Sequence, residues 1–178
     1  MLKRVSTFLL ATIVVFAVSI SAFADTDNVS NRQRQGETFV LPINSVEISE
    51  NSWVKIGEIS DNKTREKSVL YATIHRNGTS EECQIYLHWS GSDLYNAWKF
   101  TKVVVDNGSA LVAKEYGNIA GQTINVPAAS IGSVLIGTVD IPTDKTQARV
   151  KFSGLKGYNL GSGSWLSAAI VGKLGEIN

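Results

Sequence analysis

The chain is short of the residues on which cross-linking and catalysis usually depend. It has one cysteine, Cys83, and two histidines, His75 and His88, in 178 residues. A single cysteine excludes an internal disulfide, so stability must come from core burial. Cys83 alternates with Ile85 and Leu87 on one face of an extended run, which reads as a small buried apolar residue in place of a reactive thiol. Both histidines fall in strand-like runs on the side opposite the apolar one, and read as half-exposed. A metal reading would join them to Asp93 or Glu82. No His-x-His or Cys-x-x-Cys spacing supports that, so neither metal nor cofactor is expected.

Other catalytic patterns are missing too. Gly-x-Ser-x-Gly does not occur, and no serine stands in a legible triad. Glu81 and Glu82 are adjacent, so a strand would point them to opposite faces and not across one cleft. Gly161-Ser162-Gly163 has no Lys-Ser/Thr after it, which removes the phosphate cradle. The expectation is a protein that is not an enzyme.

Charge is not concentrated anywhere. Nucleic-acid binders carry a positive face, and polybasic membrane patches carry clustered lysine and arginine; neither occurs here. Long apolar runs are scarce after residue 20. Before it, Lys3 and Arg4 precede the apolar run Phe8–Ile20, and Ala22-Phe23-Ala24 offers a small-residue cleavage site. That pattern predicts a signal peptide over residues 1–24, with a secreted, periplasmic or cell-surface location and no membrane insertion once it is removed. Removing 24 of 178 residues leaves 154, and losing Lys3 and Arg4 takes 17 basic residues to 15 against 16 acidic ones. A near-neutral chain of that length suits one domain with one core.

Helical periodicity is absent as well; what is present is alternation. Residues 25–37 are polar and read as a flexible arm. Residues 38–178 read as a single domain. Thr38–Leu41 is a short strand ended by Pro42, with Val46–Ile48 a further short one. Trp53–Ile59 and Val69–His75 alternate clearly. Cys83–Trp89 places Cys83, Ile85, Leu87 and Trp89 on one face. A polar loop from Ser90 to Ala97 then leads to a strand over Trp98–Val105. Asn107-Gly108 predicts a tight hairpin turn into Ala110–Tyr116. Thr123–Val126 is ended by Pro127, and Val134–Ile141 by Pro142. Ala148–Phe152 and Trp165–Val171 complete the set, with Gly154–Ser164 as an exposed loop. About nine to ten short strands with turn signals between them predict an all-β, antiparallel β-sandwich or jelly roll.

Two loops share a pattern. Tyr95-Asn96 is followed closely by Trp98, and Tyr158-Asn159 by Trp165. Tyrosine offers an apolar face with a polar edge, and asparagine a donor with an acceptor, which suits a sugar ring. The candidate ligand-binding residues are Asp93, Tyr95, Asn96, Lys156, Tyr158 and Asn159, with the tyrosines and asparagines exposed at the rim. The tryptophans are expected to pack inside. The function expected is recognition of a glycan or cell-surface protein. The alternative is a subunit of a surface fibre or coat, with residues 25–41 adding a strand to a neighbouring copy; a third is a hydrolase whose site the known motifs do not reveal. Asn28, Asn62, Asn77 and Asn107 each begin an Asn-x-Ser/Thr triplet.

Overall fold

The structure is a computed structural model, and residues 38–45, 50–61, 65–109 and 111–170 are described. The expected signal peptide, the 25–37 arm and the 46–48 strand lie outside them. The described residues form nine strands and one 3-10 turn at Glu50–Ser52. The strands are β1 Thr38–Asn44, β2 Val54–Ser60, β3 Lys67–Arg76, β4 Glu82–Asp106, β5 Glu115–Asp140, β6 Gln147–Ser153, β7 Lys156–Asn159, β8 Ser164–Ser167 and β9 Ala169–Ile170. No helix among the described residues is long and apolar enough to cross a membrane.

The fold is built on β4. Its alternation holds as expected: Cys83, Ile85, Leu87 and Trp89 are all buried. Along one edge β4 takes three partners in turn. β3 pairs from Arg76↔Cys83 to Ser68↔Gly91, β7 from Tyr95↔Asn159 to Lys99↔Lys156, and β6 from Lys102↔Ser153 to Asp106↔Arg149. β6 pairs in turn with β1, and β1 returns to β3 in parallel at Ile43↔Ile74. The sheet therefore closes on itself into a small barrel with extra strands. Near the other rim β2 joins β3 to β9, and β8 pairs with β7. This corrects the expectation of a sandwich or jelly roll. Alternation specifies that one face is buried, but not whether that face meets a second sheet or the far wall of its own.

Closure needs β4 to turn a corner, and its middle does so. The polar stretch expected as a loop, Ser90–Ala97, is instead a bulged segment inside the strand. The ladder to β5 shifts between Ser90 and Tyr95, and again between Tyr95 and Ala97. Bulges bend a strand and increase its twist. Trp89, Tyr95 and Trp98 fill the inside of the bend, with ring centroids 5.1 Å apart for the tryptophans and 4.9 Å for Tyr95 and Trp98. Gly132, paired with Trp89, leaves room for the indole: a Cβ there would collide with the ring.

β5 corrects two further expectations. Its sequence predicts separate strands broken at Pro127, yet it runs unbroken from Glu115 to Asp140. Pro127 lies between Asn125 and Ala129, opposite the β4 bulge, where the ladder is already interrupted. A residue without an N–H costs little there. Likewise β1 passes Pro42 and ends at Asn44. Of the expected Ala110–Tyr116 strand, residues 111–114 form no strand, and β5 begins at Glu115. Of Asn107 and Gly108, the glycine alone adopts positive φ, at 69°. Asn107 organises the longer loop instead: its Nδ2 donates to the Val112 carbonyl at 2.9 Å, and its Oδ1 accepts from the Ser109 and Lys114 amides.

The core runs through the barrel. Leu41, Ile56, Leu70, Ile74, Val103, Val150 and Phe152 have no exposed surface, and each such side chain contributes about 1.5–3 kcal/mol relative to exposure. At the end of β3 the buried Arg76 guanidinium donates to the carbonyls of Ile141, Pro142, Thr143 and Lys145. Those bonds tie the β5–β6 turn to the barrel and satisfy a charge that would otherwise be costly to bury.

Candidate functional site

The two Tyr-Asn segments are brought together, but not at a rim. They lie on adjacent strands, with Tyr95 opposite Asn159 and Ala97 opposite Tyr158. Asp93, Tyr95 and Asn159 are buried, which corrects their placement at the surface. Gly157 is the local cause. It pairs with Trp98, and a Cβ there would stand 2.8 Å from the Tyr95 ring and 2.9 Å from the Trp98 ring. The aromatics fill that notch. Tyr95 Oη donates to Asp93 Oδ2 at 3.2 Å, and burial pushes the phenol up to about 12. Asp93 also bonds Glu66, raising the Glu66 carboxyl above its ordinary range. Asn159 Oδ1 accepts from the Ser162 amide and so holds the turn after β7. The expected Gly154–Ser164 loop thus contains a strand. Asn96, Lys156 and Tyr158 are half-buried. Tyr158 meets Trp165 edge-on at 5.4 Å, and Lys99 Nζ sits 4.0 Å over the Trp165 ring.

The histidines do not form a pair. His75 is half-buried and opposite Gln84; His88 is opposite Tyr71 and fully buried, which corrects its half-exposed reading. Trp53 stacks on His88 with centroids 4.4 Å apart and planes at 17°. His88 Nε2 bonds Thr73 Oγ1 at 2.9 Å, and Nδ1 bonds Ser133 Oγ at 2.6 Å. Burial depresses the imidazole to about 4, so it is neutral near pH 7. Among the described residues no group of three or more histidine, cysteine, aspartate or glutamate side chains could hold a metal ion.

A different surface emerges on the outside of β3, β4 and β5. Paired positions share a face, so Tyr71 and His88, Tyr86 and Leu135, and Ser90 and Ile131 all point outward together. Trp53 covers Tyr71 and His88. Beside these aromatics Ile131 is 56% exposed and Leu135 41%. Both stand on β5, which among the described residues pairs with β4 alone. Its outer edge is therefore a row of backbone groups with no described strand beside it. Edges of this kind are normally blunted by charged side chains. Here no charged residue stands between Glu115 and Asp140.

The free edge has defined ends. Ile85 pairs with Gly137 and Tyr86 with Leu135, which leaves Ile136 as a bulge residue. Gln122 Nε2, from the other half of β5, donates to the Ile136 carbonyl at 2.8 Å. The two halves of β5 also pack together: a Cβ on Gly137 would stand 3.0 Å from Ile119, and one on Gly117 3.1 Å from Val139. Pro127 closes the other end. The open stretch on this face is Ala129 to Leu135.

Reasoning from the sequence passed over Ile131, Ser133 and Leu135 as candidates. The signal was there, as a long uncharged run too polar for a buried strand.

No family model matches this chain, and no curated protein matches it. Among solved structures it is similar to the trimeric lipoprotein SadB of Salmonella enterica, at 10% identity and a TM-score of 0.46, over 85% of this chain and 79% of that one. A likeness at that level fixes neither family nor function.

Proposed function

We propose that this chain is a non-enzymatic binding module of the cell surface or periplasm. It takes an extended stretch of another polypeptide along the outer edge of β5, between Ala129 and Leu135. The observation that carries this is a 26-residue strand with one partner among the described residues and no charge from residue 116 to 139. Strand addition draws affinity from the unpaired backbone and specificity from neighbouring side chains. Here those side chains are Ile131, Leu135 and Tyr86. His88 is a poor general base in this setting, since both its nitrogens are engaged and Trp53 covers it. The 38–41 end of the arm is not available as a donated strand, because β1 pairs with β6 through those residues.

Selection of displayed peptides against the chain tests this reading. Bound peptides should be extended and uncharged, should slow hydrogen exchange at the backbone amides of 129–135, and should lose binding to the Ile131→Lys variant. Protection confined to the 107–114 loop or to β7 would overturn it.

A glycan reading retains Lys156 and Tyr158, favoured by the half-exposed Tyr158 and Trp165 rings beside Lys99. Tyr158→Ala should then reduce glycan-array binding. An unchanged array signal would remove these residues.

A further inference from the structure

Resting on that edge reading, we infer that the polypeptide taken up along β5 is a second copy of this chain. The two copies join edge to edge, antiparallel, about a two-fold axis through Ser133.

Among the described strands, β1, β2, β3, β4, β6 and β7 each have partners along both edges. β8 and β9, with four and two residues, are too short to cover the open stretch. The long strand with an edge to offer is β5 itself.

β5 is also complementary to itself. Two identical strands paired antiparallel about residue 133 set position 131 against position 135 of the other copy. Ile131 then lies beside Leu135 of the second copy, and Leu135 beside Ile131 of the second copy. These are the two exposed large apolar residues of the strand. All four share the outer face, because opposed residues in a ladder point the same way. Centring the axis on Gly132 or Val134 sets neither against the other.

Charge does not oppose the pairing. Like strands oppose like residues, so a charge near the axis would meet its twin. The uncharged run from 116 to 139 removes that repulsion. Small residues at Ala129, Ser130, Gly132 and Ser133 keep the edge unobstructed.

The ends of the open stretch decide the kind of assembly. The Ile136 bulge, with its carbonyl held by Gln122, stops the new ladder on one side. Pro127, which lacks an N–H, stops it on the other. The same patch serves both copies, so the contact is isologous and closes as a dimer instead of growing into a fibre. The product is a continuous sheet, β3-β4-β5 running into β5-β4-β3 of the second copy.

Cysteine pairing reads the register directly. Opposed Cα atoms in an antiparallel ladder are about 4.5–5.5 Å apart, within disulfide range, and Cys83 is buried and does not interfere. In a glutathione redox buffer, Ile131→Cys chains mixed with mass-tagged Leu135→Cys chains should form mixed dimers several-fold faster than either variant dimerises alone. Thr79→Cys, on an exposed turn, supplies the collision background. Mixed dimers no faster than that background would overturn the second-copy inference. So would like-with-like dimers forming faster than mixed ones. Leu135→Arg, which leaves the core untouched, should shift the unmodified chain from dimer towards monomer by light scattering at constant thermal stability. If cross-linking fails while selected peptides still protect 129–135, the second copy is excluded and the edge reading stands. Slow exchange of the outward amides of 131–135 in a dilute monomer would mean the edge is closed within the chain, and both would fall.

Discussion

β4 and β5 are of nearly equal length, 25 and 26 residues, and run beside each other throughout, yet they do opposite work. β4 has partners along both edges and carries three of the largest fully buried side chains, Trp89, Trp98 and Tyr95. Among the described residues β5 pairs with β4 alone, and of its side chains only Ile136 and Val139 are buried. A long strand takes its rigidity from what lies on both of its edges and on its inward face. β4 is held by packing on its inward face and by hydrogen bonds on two sides. β5 is held by β4, by glycine notches that admit Trp89 and Ile119, and by one Gln122 bond across its own bend. Stability should be concentrated in β4, and recognition in β5.

The sharpest way to break that contrast is Trp98→Ala. It empties the inside of the β4 bend, and a loss of about 3–5 kcal/mol is expected from large-to-small replacement of a buried aromatic. Chemical denaturation measures it; a loss under 1 kcal/mol would mean the bend is not set by its aromatics.

Acid should act next. His88 links the two strands through Ser133, and its folded value of about 4 lies below the ordinary 6.5. A base depressed by folding binds more protons when unfolded, so stability is full above about pH 6.5 and falls as pH drops towards 4. His88→Gln should flatten that part of the profile. A wild-type curve already flat across it would show that the imidazole is not sealed under Trp53.

The smallest effect is expected on β5 itself. Gln122→Ala strips the partner from the Ile136 carbonyl, at a cost of about 0.5–1.5 kcal/mol. Hydrogen exchange should speed up around 135–137, with β4 unchanged. Equal acceleration along β4 would remove the distinction between the strands.

Most strands could be read from alternation, and the inward faces of β3, β4 and β6 match it; in β2 a register shift between Lys55 and Gly57 breaks it, so that Ile56 and Ile59 are both buried. The Cys83 reading also holds, as the thiol is buried. The failures share a cause. Ser90–Ala97 and Gly154–Ser164 are rich in turn-forming polar residues, and such composition marks a loop only when no neighbouring strand claims the backbone. Here each segment claims the other: Tyr95 faces Asn159, and Gly157 makes space for Tyr95 and Trp98. Two expected rim loops therefore became a wall of the barrel, and three of the six candidate ligand residues went inside with them.

Local order along this chain follows from its own residues, because side chains two apart share a face and burying that face is favourable whatever the partner. Closure, the depth of Tyr95 and the openness of the β5 edge do not follow in that way. They depend on which distant segments meet, such as β1 returning to β3 and β7 lying on the bend of β4. Those meetings are set by the summed fit of side chains far apart in the chain, and no window along it contains both halves of the contact.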